Sequence, residues 1–241
     1  MTSLSLNAVS MTFADGTEVL RDVSFDVDPG EVVAIVGPSG CGKSTLMRIA
    51  AGLETPSSGS VHRSGTPMSV VFQDHTLMPW RSVRRNVALF AELTGDTERL
   101  DERVRTAVAR TGLNDAIDKY PRQLSGGMKM RAALARALVT APRLLLLDEP
   151  FGALDQLTRM QLQDDFITVH GSERFAGVLI THAIDEAVHL SDRIIVLGPR
   201  PASIIDVVDV PFGTRRDGAM RYDAEFSRVC SIVARALGVV R

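Results

Sequence analysis

The residue types best suited to chemistry lie in a glycine-rich stretch that follows a short apolar run. Residues 37–44, Gly-Pro-Ser-Gly-Cys-Gly-Lys-Ser, match the phosphate-binding pattern G-x-x-x-x-G-K-[ST] at every fixed position. The glycines let backbone N–H groups point at an anion, and a helix beginning near Lys43 would add the positive end of its dipole. Lys43 can supply charge to the β- and γ-phosphates, Ser44 a hydroxyl to Mg²⁺, and Thr45 a donor to the α-phosphate. We therefore predict a nucleotide site formed by Gly37, Pro38, Ser39, Gly40, Cys41, Gly42, Lys43, Ser44 and Thr45.

An acidic pair, Asp148 and Glu149, follows a second apolar run at 144–147. Four consecutive apolar residues indicate a buried strand, and ligands bind beyond the carboxyl ends of the strands in an open parallel sheet. A carboxylate at that edge can hold Mg²⁺ through water, and a second one can polarise an attacking water. We predict that Asp148 serves the metal and that Glu149 activates the water. The alternative is an acidic pair in an exposed loop.

The elements that would position these groups are apolar runs that alternate with segments of helical spacing. The predicted strands lie at 32–36, 69–72, 144–149, 176–181 and 192–198. A helix follows the glycine-rich turn, and two more are predicted at 157–170 and 183–190. Strands that alternate with helices indicate a parallel sheet, so the fold class is α/β.

Three other segments complete the predicted organisation. The N-terminal residues alternate polar and apolar types around an Asp-Gly-Thr turn, which predicts a β-hairpin. Residues 80–113 and 127–139 change to helical spacing, so we expect a helical block, roughly 76–140, inserted in the α/β core. Residues 223–237 put apolar side chains on one helical face, which predicts a terminal helix that packs on the core or, alternatively, docks a partner. The whole chain, 1–241, is predicted to be one domain.

The composition is that of an ordinary globular protein, without the basic excess of a nucleic-acid-binding protein or the cysteines of a disulfide framework. The chain has 241 residues, of which 45% are hydrophobic, and 27 Lys and Arg against 29 Asp and Glu. These values are ordinary for a globular protein, and the absence of a basic excess argues against nucleic acid as a partner. Two cysteines cannot form a disulfide framework. We expect no secretory signal and no membrane span, because the longest apolar runs fall well short of the ~18 residues required.

The pentapeptide Leu-Ser-Gly-Gly-Met at 124–128 resembles the signature motif of ATP-binding cassette (ABC) proteins, and the resemblance covers nearly the whole chain. Gln73 matches the family's Q-loop glutamine, Asp155 its D-loop aspartate and His182 its switch histidine. Phe13 stands, in place of the commoner tyrosine, where the family stacks an aromatic side chain on adenine.

This resemblance implies a fold, a reaction and a set of roles. The implied fold is a P-loop NTPase cassette with a RecA-like parallel-sheet core, an N-terminal antiparallel β subdomain and an inserted helical subdomain. The implied reaction is hydrolysis of ATP, with Mg²⁺, to ADP and phosphate. The catalytic residues would be Glu149, His182 and Gln73, and the metal-side residues would be Ser44, Gln73 and Asp148.

The signature residues also imply an assembly. Ser125, Gly126 and Gly127 at the start of a helix would form a second anion site. One γ-phosphate cannot readily use both this site and Lys43 of the same chain. The family's arrangement is a head-to-tail dimer, in which each ATP lies between Lys43 of one copy and Ser125 of the other. Gly152 departs from the family, because a serine is usual at the start of the D-loop.

Three classes of function are weighed: a transport ATPase that drives a separate permease, a soluble ABC ATPase acting on nucleic acid or ribosomes, and a small-molecule kinase. The signature motif and His182 argue against the kinase. A single cassette without coiled-coil insertions argues against the second class, although a soluble non-transport ATPase and an exporter ATPase stay as alternatives. Leu-Met-Pro-Trp at 77–80, together with 129–131 and 185–197, is similar to importers of the nitrate, sulfonate and taurine group.

The importer resemblance implies uptake of a nitrate-, sulfonate- or taurine-like solute through membrane permease subunits, with an extracytoplasmic solute-binding protein. It also implies a peripheral location on the cytoplasmic side of the inner membrane. Trp80 is predicted to be either a core aromatic or the hydrophobic lip of a groove that receives the permease's cytoplasmic helix. Gln73 is predicted at the joint between core and helical block, where its amide reaches Mg²⁺ or water while ATP is bound.

Overall fold

Two sheets form the framework of the chain in a computed structural model, which describes residues 2–64, 67–213 and 216–239. The smaller sheet is antiparallel, with strand order β2-β1-β4, and the predicted N-terminal hairpin supplies its first two strands. Its strands are β1 (Leu4–Thr12), β2 (Glu18–Val27) and β4 (Ser58–Arg63).

The larger sheet has strand order β5-β6-β7-β3-β8-β9 and is parallel except for its last strand. Its strands are β3 (Val32–Val36), β5 (Met68–Val71), β6 (Leu144–Asp148), β7 (Ala176–Ile180), β8 (Arg193–Leu197) and β9 (Ile204–Asp209). The carboxyl ends of β3, β6 and β7 therefore meet at one edge of the sheet, since these three strands are neighbours.

Seven α-helices connect and cover these sheets in the part of the chain described. They are α1 (Lys43–Ala50), α2 (Val83–Thr94), α3 (Leu100–Arg110), α4 (Gly126–Leu138), α5 (Gln156–Glu173), α6 (Ile184–Leu190) and α7 (Ala224–Ala236). None of the helices in the described ranges is long and apolar enough to cross a bilayer.

Apolar side chains on the two faces of the parallel sheet belong to different cores. In β6, Leu145 and Leu147 face a core shared with α4 to α7, whereas Leu144 and Leu146 face a core shared with α1 and the antiparallel sheet. A strand buried on both faces has no polar positions, which explains its continuous apolar sequence. A third core lies among α2, α3 and α4, as the inserted helical subdomain requires.

The structure decides two alternatives that the sequence left open. In α7, Phe226, Val229 and Val233 are buried in the core beside the sheet, so the terminal helix packs on the core. Trp80 is 71% exposed, so its interpretation as a core aromatic is wrong.

Candidate functional site

The glycine-rich loop joins β3 to α1 and surrounds the ammonium of Lys43. Lys43 is buried, and its Nζ donates to the carbonyl oxygens of Gly37 at 2.8 Å and Pro38 at 3.0 Å. Gly42 immediately precedes α1 with φ of 126°, and a Cβ there would lie 2.7 Å from Cγ1 of Val19. Only glycine satisfies both the backbone conformation and the space. The loop thus holds a positive charge at the start of a helix, where an anion is favoured.

An arginine from the far end of the chain also contacts this loop. Arg200 Nη2 donates to the carbonyl oxygen of Gly40 at 2.6 Å. Gly40 has φ of +73°, and nothing lies within 4 Å of the position that its Cβ would take. The sequence gives no signal for Arg200, because the contact joins residues 160 positions apart. Cys41 is buried, so its thiol faces the protein rather than the open side of the loop.

Ser44 and Asp148 bring two oxygen atoms together beside the loop. The Ser44 hydroxyl donates to Asp148 Oδ1 at 3.4 Å. Burial raises the pKa of the Asp148 carboxyl above its ordinary value, as does the neighbouring Glu149, while the Ser44 hydrogen bond and Lys43 act in the opposite direction. A partly buried carboxylate with an incomplete set of partners is suited to a cation.

This pair fits Mg²⁺, which prefers hard oxygen ligands and uses few protein groups. Within residues 2–64, 67–213 and 216–239 there is no group of three or more His, Cys, Asp or Glu side chains that could hold a metal on its own. The protein would therefore contribute Ser44 and Asp148, and phosphate oxygens and water would supply the rest.

Glu149 and His182 meet one step further along the same sheet edge. Asp148 is paired with Ile180 in the β6–β7 ladder, and the Glu149 N–H donates to the Ile180 carbonyl at 2.9 Å. Glu149 Oε2 lies 3.1 Å from His182 Nδ1. Glu149 has φ of 44°, a left-handed conformation that a non-glycine residue adopts at a cost. The pair brings a carboxylate and an imidazole together at this sheet edge, and a carboxylate placed there can accept a proton from water.

The signature motif lies at the start of α4. Ser125 is exposed, and its Oγ accepts from the Met128 N–H at 3.3 Å, so it caps α4. A Cβ at Gly127 would lie 2.6 Å from Thr158 Cγ2, so the second glycine is also required for close packing of α4 on α5. Asp155 caps α5 by accepting from the Thr158 N–H at 3.0 Å, and this hydrogen bond lowers the pKa of its carboxyl.

The contacts therefore divide the predicted site residues into two groups. The loop around Lys43, the Ser44–Asp148 pair and the Glu149–His182 pair follow the adjacent strands β3, β6 and β7. The second group consists of predicted site residues that these contacts do not bring to that sheet edge. Gln73 follows β5 and is exposed, and Phe13 follows β1 and is 40% exposed. The hydrogen bonds of Ser125 and Asp155 cap their own helices.

Comparisons with known proteins agree with this geometry. The family model described as ABC transporter matches residues 20–152. The aliphatic sulfonates import ATP-binding protein SsuB 2 of Agrobacterium fabrum is 47% identical over 190 residues, which cover 76% of this chain and 71% of that protein. The nitrate import ATP-binding protein NrtC of Synechococcus elongatus is 45% identical over 204 residues; the match covers 80% of this chain but only 31% of that longer relative.

A solved structure supports the reaction. The dimeric post-hydrolysis state of the ATP-binding cassette MJ0796 bound to ADP and Pi matches with a TM-score of 0.75 at 27% identity, over 86% of this chain and 98% of that chain. The chain belongs to the ABC transporter family, and it is an ATPase of that family.

Proposed function

We propose that this chain is the ATP-hydrolysing subunit of an importer that takes up a small nitrate-, sulfonate- or taurine-like solute through a separate membrane permease. The Glu149–His182 pair, 3.1 Å apart beside the phosphate loop, is the observation that supports ATP hydrolysis in this proposal. The word "import" in the names of both relatives supports the direction of transport.

In this proposal each side chain has one task in hydrolysis. Glu149 orients a water molecule and accepts its proton as the water oxygen bonds to the γ-phosphorus, and His182 holds the Glu149 carboxylate in place. The bond from the γ-phosphorus to the β–γ bridging oxygen breaks, leaving ADP and phosphate. Lys43 stabilises the negative charge on the phosphates. Ser44 and Asp148, with Gln73 as a further predicted ligand, would hold Mg²⁺, which would supply positive charge to offset the phosphates.

A second copy of the chain would complete the site. Ser125 and Gly126 are exposed at the start of α4, where a helix N-terminus favours an anion. The ATP of one copy would then lie between its own Lys43 and the other copy's Ser125, with Asp155 at the interface and Phe13 on the adenine.

An apolar groove supports docking of the permease. The groove, about 630 Å³, lies where β5 of the core approaches α2 of the helical subdomain. Its apolar lining residues are Leu53, Pro67, Met68, Val70, Phe72, Phe90 and Leu93. A cytoplasmic helix of the permease, presenting apolar side chains, is the proposed occupant, and it would keep the chain peripheral on the cytoplasmic side of the inner membrane. Trp80 is not among the described residues that line the groove, so its role as the lip stays a prediction.

Hydrogen bonds from Asn86 hold the loop that carries Trp80 in place, although the Trp80 side chain is exposed. Asn86, fully buried in α2, accepts from the Met78 N–H at 2.7 Å. Its Nδ2 donates to the carbonyl oxygens of Met78 at 3.1 Å, Arg81 at 2.8 Å and Ser82 at 3.1 Å. A preorganised loop loses little entropy when a partner binds, so it suits recognition.

Asn86→Ala is expected to destabilise the chain by about 3 kcal/mol, because the backbone groups of Met78, Arg81 and Ser82 lose their hydrogen bonds to the buried Asn86 amide. Chemical denaturation measures the change. Trp80→Ala is the comparison, since removal of an exposed side chain should alter stability by less than about 0.5 kcal/mol. Equal stability of the two variants would contradict a clamp at Asn86.

Trp80→Ala is expected to leave ATP hydrolysis by the isolated subunit unchanged, but to weaken assembly with the permease and solute-stimulated hydrolysis by about tenfold. Tyr222→Ala is the matched control, because Tyr222 is an aromatic residue with 81% exposure outside the loop. Co-purification measures assembly with the permease, and ATPase assays compare the isolated subunit with the complex. Both measurements are made for the Trp80 and the Tyr222 variants. Normal assembly of the Trp80 variant would remove this residue from the docking surface.

The proposed function is tested by co-expressing the chain with the membrane proteins encoded beside it and with an extracytoplasmic solute-binding protein. In vesicles, nitrate, taurine or an alkanesulfonate should stimulate ATP hydrolysis and accumulate, and the Glu149→Gln complex should do neither. Failure to assemble with any permease, together with stimulation of the free chain by RNA or DNA, would replace transport by a nucleic-acid function.

A further inference from the structure

A buried arginine near the end of α4 has no carboxylate partner. Arg136 is only 4% exposed, and none of the ion pairs found in residues 2–64, 67–213 and 216–239 includes it. Burial lowers the pKa of its guanidinium, which reports the cost of removing the charge from water. An apolar side chain would fill the space without that cost. The contacts of the guanidinium must therefore explain why an arginine is buried at this position.

Its hydrogen bonds to described residues all go to His75 and Thr76, which follow Gln73. Arg136 Nη1 donates to the Thr76 carbonyl at 2.8 Å, and Nη2 donates to the His75 carbonyl at 2.8 Å and to Thr76 Oγ1 at 2.9 Å. Thr76 has φ of 46°, which is unfavourable for a β-branched residue. The planar guanidinium can satisfy several acceptors in fixed directions and so hold this conformation.

The same guanidinium reaches the groove between core and helical subdomain. Its Cζ lies 5.1 Å from the ring centroid of Phe90 in α2, a cation–π distance. Phe90 lines the groove, and so does Phe72, which immediately precedes Gln73. Arg136 thus joins the Gln73 segment, α4 and a groove-lining ring of α2 through direct contacts.

We propose that Arg136 is a positioning residue for ATP hydrolysis. It fixes residues 73–76 to α4, so that Gln73 reaches the reacting groups. Gln73 then moves together with α4 and with Phe90, which lines the groove. This inference rests on the proposed role of Gln73. Thr76 lies three positions after Gln73, at most about 10 Å along the chain, so an anchor at Thr76 limits where the Gln73 amide can lie. A rigid connection is what allows a small shift at a nucleotide to become movement of a subdomain.

A second arginine of the same helix provides the control. Arg131 is also partly buried in α4; its Nη1 donates to the Thr111 carbonyl at 3.0 Å, and Nη2 pairs with Asp165 at 2.5 Å. Its contacts lie with the end of α3 and with α5. Loss of Arg131 should therefore disturb α4 without acting through Gln73.

The test is a double-mutant cycle on the full-length chain, with kcat, KM for ATP and melting temperature as readouts. Arg136→Met is expected to lower kcat about tenfold, with KM changed less than about threefold. In a Gln73→Ala background the same substitution should lower kcat less than about twofold, because the group on which it acts is gone. Arg136→Lys should restore part of kcat, since one ammonium meets fewer of the acceptors. Arg131→Met should change kcat by the same factor in both backgrounds.

An equal loss of kcat on Arg136→Met in both backgrounds would make Arg136 a purely structural residue and overturn the inference. If Arg136→Met does not fold, Thr76→Val, which removes only the Oγ1 acceptor, is measured in the same cycle; it should lower kcat about threefold alone and have no effect beside Gln73→Ala. The cycle distinguishes a failure of this inference from a failure of the proposed function. An inactive wild type, or a fully active Gln73→Ala variant, would contradict the role of the site itself rather than that of Arg136.

Discussion

Glu149→Gln is expected to reduce ATP hydrolysis by 10² to 10⁴-fold, the range in which a general base contributes, while ATP still binds. Glutamine keeps the shape of the side chain but can neither accept the proton of the attacking water nor attract it by charge. Its amide can still contact His182, 3.1 Å from Glu149 in the native chain, so the site should stay assembled. Phosphate release measures hydrolysis, and a fluorescent ATP analogue measures binding.

The same variant should reveal the ATP-bound dimer. Because hydrolysis no longer ends the bound state, size-exclusion chromatography with ATP should show a dimer that the wild type forms only transiently. Glu225→Gln is the control, since Glu225 is paired with Arg228 at the start of α7. It should behave like the wild type in both assays. A Glu149→Gln chain that stays monomeric at saturating ATP would contradict the head-to-tail assembly.

The sheet that carries the site was largely predictable from the sequence. Its central strands are buried on both faces, so each forms a continuous apolar run bounded by polar residues. The structure puts β3, β6 and β7 where runs 32–36, 144–149 and 176–181 were predicted. Since these strands are parallel neighbours, the motifs that follow them meet without further information.

Two strands were not predicted; both lie at sheet edges and bury few of their side chains. β4 (Ser58–Arg63) is mostly exposed, and β9 (Ile204–Asp209) buries only Val208 fully. Their positions depend on backbone pairing with β1 and β8 rather than on side-chain burial. Hydrophobic periodicity detects burial, so it cannot detect such strands.

Within the site, the residues that act through tertiary contacts escaped prediction. Arg200 reaches the phosphate loop from 160 residues away, and Arg136 reaches the Gln73 segment from 60 residues away. Neither belongs to a local motif, and arginine is common on surfaces. Trp80 illustrates the opposite difficulty, because a tryptophan suits a core as well as a docking surface, and only the structure excludes the core.

Lys43→Ala is expected to affect both binding and chemistry, since its ammonium is buried inside the phosphate loop. The side chain is only 6% exposed, and its Nζ donates to two loop carbonyls, those of Gly37 and Pro38. Alanine removes the charge that offsets the β- and γ-phosphates and leaves both carbonyls without this donor. Hydrolysis should fall on the order of 10³-fold, as for loss of a preorganised charge stabiliser in a desolvated site.

Binding of ATP should weaken at the same time, which separates Lys43 from Glu149. At an ATP concentration about 100 times the wild-type Kd, ATP should stabilise the wild-type chain by about 2.7 kcal/mol and Glu149→Gln by a similar amount. Lys43→Ala should lose most of this stabilisation in a thermal melt with ATP and Mg²⁺. Lys43→Met fills more of the space and tests whether charge rather than volume is responsible; Lys129→Ala, on α4, controls for the loss of one lysine. Near-normal turnover in Lys43→Ala would overturn the assignment of the phosphate loop, because no other lysine contacts it among the described residues.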